Sequence, residues 1–294
     1  MPSNQQRREV AKNKLEQQLK ARAKQDRRRN ILTIVGAVVA ALVVAAAAVG
    51  VYKLTAGSQN NDSTQASNDT NDESFDEIFD SQFEEPDFAA LPESRSEPLP
   101  PTVDCEYFDS RMPGVRDVDR PQGENVPTEG TVAVTIDMSE GPVELTLDRA
   151  KSPCTVNSFV SLAEQGYFND TECHRLVTGG IFVLQCGDPS ATGTGGPGYE
   201  FHDEFPHDQF DSPRSEMTIY PRGTVAMANA GESTNGSQFF LVYDDSPLPP
   251  LYNVFGEISD DGLNVIDAIA EGGAPGNEGV PNIPADIKTI TVGG

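Results

Sequence analysis

The chain has 294 residues, with 46 acidic and 21 basic side chains, a formal net charge of −25, 22 prolines and 26 glycines. That acidic balance excludes nucleic acid as the partner, because phosphate contacts need a basic footprint. The proline and glycine content argues that much of the chain is not packed core.

The charge is unevenly placed. Residues 1–30 hold ten Lys or Arg against three Asp or Glu, a local +7, and subtracting this from −25 leaves −32 for the remainder. Residues 5–29 favour helix but carry too few apolar positions for a core, so 1–30 reads as a basic cytoplasmic segment. Residues 31–52 contain no charge, and Thr33 is their one clearly polar side chain. As a helix they would span roughly 33 Å, enough for a hydrocarbon core of about 30 Å. A cleaved signal peptide is the competing reading, with Ala45 to Ala48 as cleavage positions, but signal cores are shorter and follow shorter basic regions. The run therefore predicts one transmembrane helix. The basic cluster Arg27-Arg28-Arg29 puts the N-terminus in the cytoplasm and everything after Tyr52 outside.

Residues 53–127 are rich in Ser, Asn, Asp, Glu and Pro and read as an acidic disordered linker, whose sparse aliphatics cannot offset the entropy of ordering. Within it, Phe75, Ile78, Phe79 and Phe83 fall on one helical face behind Ser74, either as a docking motif or as a transient helix. From residue 128 the pattern changes. Val132, Val134 and Ile136, then Val143, Leu145 and Leu147, alternate about Ser-Glu-Gly-Pro and predict a hairpin. Ser152-Pro153 opens a helix running to Gly166. Gly262–Glu271 reads as a second helix, and Ile287–Val292 as a closing strand.

The stretch from Arg222 to Phe240 reads as a groove floor. Ala226, Ala228 and Ala230 leave room close to the backbone, Asn229, Asn235 and Gln238 supply amides, and Gln238–Tyr243 has strand composition. No strong nucleophile lies in it. Elsewhere, His202-Asp203-Glu204 with His207 has the residue types of a metal site but lies in a loop without helical register, and no metal is assigned. Gly-x-Ser-x-Gly, His-Glu-x-x-His and phosphate-loop patterns are absent from the sequence, so a hydrolase has no support.

Ala228-Asn-Ala-Gly-x-x-Thr-Asn-Gly-Ser-Gln-Phe-Phe240 closely resembles the signature of the cyclophilin family of peptidyl-prolyl isomerases. The likeness extends to Cys173-His-Arg-Leu-Val177, Phe182-x-x-Gln185-x-Gly-Asp188, Gly193-Thr-Gly-Gly196 and Val254-Phe-Gly256. It implies a mainly β domain over 128–294, an eight-stranded antiparallel barrel with two capping helices. It also implies cis/trans isomerisation of X-Pro bonds without a cofactor, acting here on exported, proline-containing polypeptides. By the same resemblance Arg175 is the catalytic donor. Phe182, Val183, Phe240 and Leu248 form the proline pocket, while Gln185, Asn229 and Gln238 hold the peptide. Ala228 and Gly193 line the groove, and Tyr252 closes it. A binding or chaperone module is the alternative, but a pure binder has no need of Arg175.

Three features depart from the family. Arg175 and Phe182 lie two residues further apart than usual, Val183 replaces a usual Met, and Tyr252 stands where many members have His. The chain also lacks Trp, which many members carry in the segment matched to Ser246-Pro247-Leu248. Cys105, Cys154, Cys173 and Cys186 all follow the membrane segment, and their even number predicts two disulfides. With Arg175 and Gln185 both facing the groove, strand alternation disfavours a Cys173–Cys186 bridge and sends Cys105 to one of those two.

Overall fold

The computed structural model describes residues 88–293. The basic segment, residues 31–52, the Phe75–Phe83 face and the first part of the expected linker lie outside the described residues. Among the described residues, no helix is long and apolar enough to cross a membrane.

Short strands precede the main sheet: β1 (Thr102–Val103), β2 (Tyr107–Asp109) and β3 (Val126–Pro127). The expected hairpin follows as β4 (Thr131–Met138) and β5 (Gly141–Asp148), paired along their full length from Thr131↔Asp148 to Met138↔Gly141. Helix α1 (Pro153–Glu164) begins with proline in its first turn, where the missing N–H costs nothing, and buries Val156, Phe159 and Leu162. Then come β6 (Thr171–Glu172), β7 (Arg175–Gly179), β8 (Ile181–Cys186), β9 (Tyr199–Phe201), β10 (Thr218–Tyr220), β11 (Thr224–Met227), β12 (Phe239–Asp244), β13 (Ser246–Leu248) and β14 (Val254–Ile258). Helix α2 (Asp260–Glu271) is capped by Ser259, whose hydroxyl accepts from the Gly262 N–H. Strands β15 (Glu278–Gly279) and β16 (Asp286–Val292) complete the order.

The main sheet has ten strands rather than eight, in the order β15-β7-β8-β12-β11-β14-β5-β4-β16-β6, antiparallel throughout. The two additional strands are the two-residue edges β6 and β15. Only Cys173 and His174 separate β6 from β7, which lie near opposite ends of this order. The sheet must therefore curl back on itself as a barrel that its ladder does not close.

Two apolar cores sit on the two faces of this sheet, and β12 shows why. All of Phe239 to Tyr243 is buried, yet Phe239, Leu241 and Tyr243 belong to the large core with α1 and α2, whereas Phe240 and Val242 belong to a second core with Val183, Tyr220, Ala226 and Leu248. A strand covered on both faces loses polar alternation. The second core is the base on which the groove is built.

Two expectations are corrected here. Residues 88–127, read as linker, are bound to the domain. Leu91 N–H donates to Ile219 O (3.1 Å) and Ile219 N–H to Ala89 O (2.9 Å). The Arg95 guanidinium donates to the carbonyls of Ala150 and Lys151. Strand β2 pairs with β9. A segment too poor in aliphatics to form its own core can still be ordered when another surface supplies its hydrogen-bond partners.

The second correction concerns the disulfides, which join Cys105 to Cys154 and Cys173 to Cys186. Alternation argued against the latter, but Cys173 is outside the β7 ladder, which starts at Arg175. Its N–H donates instead to Ala285 O (2.9 Å), so its orientation is independent of Arg175. Cys173 and Cys186 both end up in the large core. Cys105 does tie the preceding segment to the domain, through the first turn of α1.

Candidate active site

Register across four strands assembles the site. Arg175 on β7 is opposite Gln185 on β8, Gln185 is opposite Phe240 on β12, and Phe240 is opposite Ala226 on β11. One transverse row thus joins residues from four strands, with adjacent strands about 4.8 Å apart. The row faces away from the large core. Arg175, Val183, Gln185, Ala228, Asn229, Phe240, Leu248 and Tyr252 surround a cavity of about 150 Å³, together with Ile181. Its base is apolar, and the Tyr252 ring stands edge-on to Phe240 with centroids 5.4 Å apart.

Polar groups around it form a chain of directed bonds. Arg175 Nε donates to Glu278 Oε1 (2.8 Å) and Nη1 to Gln185 Oε1 (2.9 Å). Gln185 Nε2 donates to Gln238 Oε1 (2.9 Å), and Gln238 Nε2 to the Gly195 carbonyl (3.0 Å). Among the described residues Nη2 of Arg175 has no acceptor, which leaves a charged donor at the cavity rim. Asn229 does something different from the expected peptide contact: its Nδ2 donates to Leu251 O (2.8 Å) and its Oδ1 accepts from Gly231 N–H (3.2 Å). Its side chain therefore ties the loop carrying Tyr252 to this part of the rim.

Phe182 is not in the cavity. It packs edge-on against Tyr243, with centroids 6.0 Å apart, beside the large core. The reason is parity: Gln185, Val183 and Ile181 share one face of β8, and Phe182 shares the other with Leu184 and Cys186. Ile181 holds the position expected of Phe182. The alternation of the Ile181–Gln185 run carries this parity, whereas the resemblance implies Phe182.

Gly193 and Gln238 line an adjoining cavity of about 390 Å³, which shares Gln185, Ala228 and Asn229 with the first. Its loop is organised by Asp188, a fully buried residue missed as a site member. Oδ1 accepts from Ser190 N–H (2.8 Å) and Oγ (2.7 Å), and Oδ2 from the N–H groups of Gly193 (2.8 Å) and Gly195 (3.0 Å). Burial alone would raise this carboxyl's pKa, but the bonds from Ser190, Gly195 and Gly193 outweigh it and hold the pKa below the ordinary value. Gly195 has to be glycine, since a Cβ there would come within 2.0 Å of Asp188 Oδ1. His174, buried beside Gly193, has its pKa lowered by burial. Tyr220 was also missed. Its hydroxyl reaches the carbonyls of Pro249 (3.3 Å) and Tyr252 (3.2 Å), holding the loop that closes the cavity.

The residues weighed as metal ligands bond to other partners, apart from a 3.8 Å approach of His207 Nε2 to Asp203 Oδ2. Glu204 accepts from the N–H groups of Cys154 and Thr155 at the start of α1, Asp203 bonds Ser233 and Asn235, and His202 Nδ1 meets Ser233 Oγ.

A curled antiparallel barrel with a ring-sized apolar seat, a fixed guanidinium at its rim and amides beside it defines a site that binds and reshapes a peptide without covalent chemistry. Residues 131–292 match the family model described as Cyclophilin type peptidyl-prolyl cis-trans isomerase/CLD. The chain is 44% identical over 300 residues to a probable peptidyl-prolyl cis-trans isomerase B of Mycobacterium leprae, covering 99% of each. It is 50% identical over 206 residues to a protein of the same description from Mycobacterium tuberculosis, covering 66% of this chain and 67% of that one. A solved cyclophilin type isomerase of Cryptosporidium parvum is 28% identical, with a TM-score of 0.46 over 56% of this chain and 99% of that one. The chain belongs to the cyclophilin family and is a peptidyl-prolyl cis-trans isomerase.

Proposed function

We propose that this isomerase acts on polypeptides exported across the cytoplasmic membrane and assists their folding there, held by residues 31–52 as a single membrane-spanning helix with the N-terminus in the cytoplasm. In this reading Val183, Phe240, Leu248, Tyr252 and Ile181 seat the proline ring. Arg175 donates to the prolyl nitrogen. Gln185 and Gln238 orient the chain, with Asn229 beside them.

The mechanism follows from amide resonance. The barrier to rotation is about 20 kcal/mol because the nitrogen lone pair is delocalised. Twisting localises that pair, and a donor aimed at it then binds the twisted state more strongly than the planar one. Arg175 suits this role because Glu278 and Gln185 fix two of its nitrogens, Nη2 has no acceptor among the described residues, and the residue lines the cavity. This fixed guanidinium beside a ring-sized seat is the observation that carries the reading. Glu278 is a positioning residue.

Export is supported by two observations. Both disulfides lie in the described domain, which holds no free cysteine, as suits an oxidising compartment. Residues 31–52 also follow a basic flank. The test attaches reporter tags before Gln5 and after Gly294 in cells. Opposite sides of the membrane are expected, and release of the C-terminal tag into the medium would overturn the anchor.

A further inference from the structure

Residues 110–115 precede the family-matched region 131–292, yet Ser110 and Met112 line the cavity next to the proline seat. They are held there by backbone bonds. Ser110 N–H donates to Gly198 O (3.1 Å) and Val115 N–H to Gly196 O (3.0 Å). Gly114 lies so close to Gly198 that a Cβ on the latter would come within 2.9 Å of its nitrogen. The β2–β9 pairing and the Cys105–Cys154 bridge fix the segment on either side of Glu106. The wall is thus built into the domain.

Its chemistry is specific. Met112 is 59% exposed, an apolar side chain with no core to fill. Ser110 Oγ donates to Glu200 Oε1 (2.8 Å), which orients that carboxylate. Among the described residues, Glu200 is the one charged side chain lining this cavity, and Arg111 is not part of the lining. An apolar rim followed by a carboxylate matches a side chain with a hydrocarbon stem and a cationic head. In an extended peptide, alternate side chains point the same way, so the side chain entering this cavity lies two residues from the proline in its seat.

We propose that Ser110, Met112 and Glu200 form a specificity subsite that favours lysine or arginine two residues from the isomerising proline. The proposal rests on the groove reading above and extends it with a wall from outside the family-matched residues.

The test measures kcat/KM by exchange NMR with the full-length chain in detergent. The peptides carry Ala-Pro with Lys, Arg, Leu, Ala or Glu two residues before, or two residues after, the proline. On one side, Lys and Arg peptides should exceed the Glu peptide by about 3- to 5-fold, the size expected of an exposed ion pair. Glu200→Gln should bring the Lys-to-Leu ratio to about one. Met112→Ala should slow Lys, Arg and Leu peptides alike, by about 3-fold more than it slows the Ala peptide. Rates indifferent to this residue on both sides would overturn the proposal. So would a Lys preference undiminished in Glu200→Gln, which would assign it to the overall charge of −25. Turnover of the Ala peptide that survives Arg175→Ala would instead defeat the assignment of Arg175 and leave the wall standing.

Discussion

Asp188→Asn tests how the groove is held together. The carboxylate has two donors on each oxygen at 3.0 Å or less, and a neutral amide offers only one acceptor atom. The better orientation keeps the oxygen on Gly193 and Gly195 and turns the NH2 toward Ser190, whose hydroxyl can rotate to accept it. The Ser190 N–H then loses its partner, a charge-assisted bond of about 1.5–3 kcal/mol, and the remaining bonds lose their charge assistance. The total is about 3 kcal/mol. For a domain of this size that lowers Tm by about 6–12 °C.

Differential scanning calorimetry of wild type and variant at pH 7 reads this directly. The sign with pH follows from the depressed pKa of Asp188. Its contribution is complete above the unfolded carboxylate value of about 3.9 and is lost as pH falls through the lower folded value. The Tm gap should hold from pH 7 to about 4.5 and close below that. Because the Gly195 carbonyl accepts from Gln238, which accepts from Gln185, kcat/KM should also fall several-fold. A shift under about 2 °C at pH 7, or a gap that widens in acid, would refute the reasoning.

Other consequences are equally measurable. Arg175→Ala should lower kcat by about 10- to 150-fold, the worth of a charged hydrogen bond, with a smaller change in peptide Kd; equal losses in both would show that the guanidinium serves binding. Ile181→Ala should raise KM with little change in Tm, whereas Phe182→Ala should cost about 2 kcal/mol of stability through lost packing on Tyr243 and leave KM near wild type; the reverse pattern would restore Phe182 to the pocket. Removing the Cys105–Cys154 bridge, which spans 49 residues, should cost about 4 kcal/mol, against about 3 kcal/mol for Cys173–Cys186, which spans 13. Denaturant titration of the double serine variants would rank them. Cyclosporin A should inhibit weakly, since the chain has no indole donor; tight inhibition in the isomerisation assay would refute that.

Local pattern was enough for several elements. The alternation of Val132 to Leu147 specified the β4–β5 hairpin, Pro153 marked the start of α1, and Gly262–Glu271 read as the body of α2, because each depends on neighbours within one or two turns of chain. The family also was legible, since Ala228 to Phe240 is a continuous run whose residues act together.

What the sequence could not decide depends on register and on which surfaces meet. Whether Ile181 or Phe182 faces the groove turns on a parity that only the β7–β8–β12 pairing settles. The Cys173–Cys186 bridge depends on where β7 leaves the ladder. Glu278 holds Arg175 from 103 positions away, and nothing near either residue marks the other as its partner. Residues 88–127 look unfoldable by composition, and by themselves they have no core. They become ordered because the barrel presents open backbone groups at β9, at β10 and at the carbonyls of Ala150 and Lys151. A hydrogen bond's free energy depends on a partner whose position only the completed fold supplies.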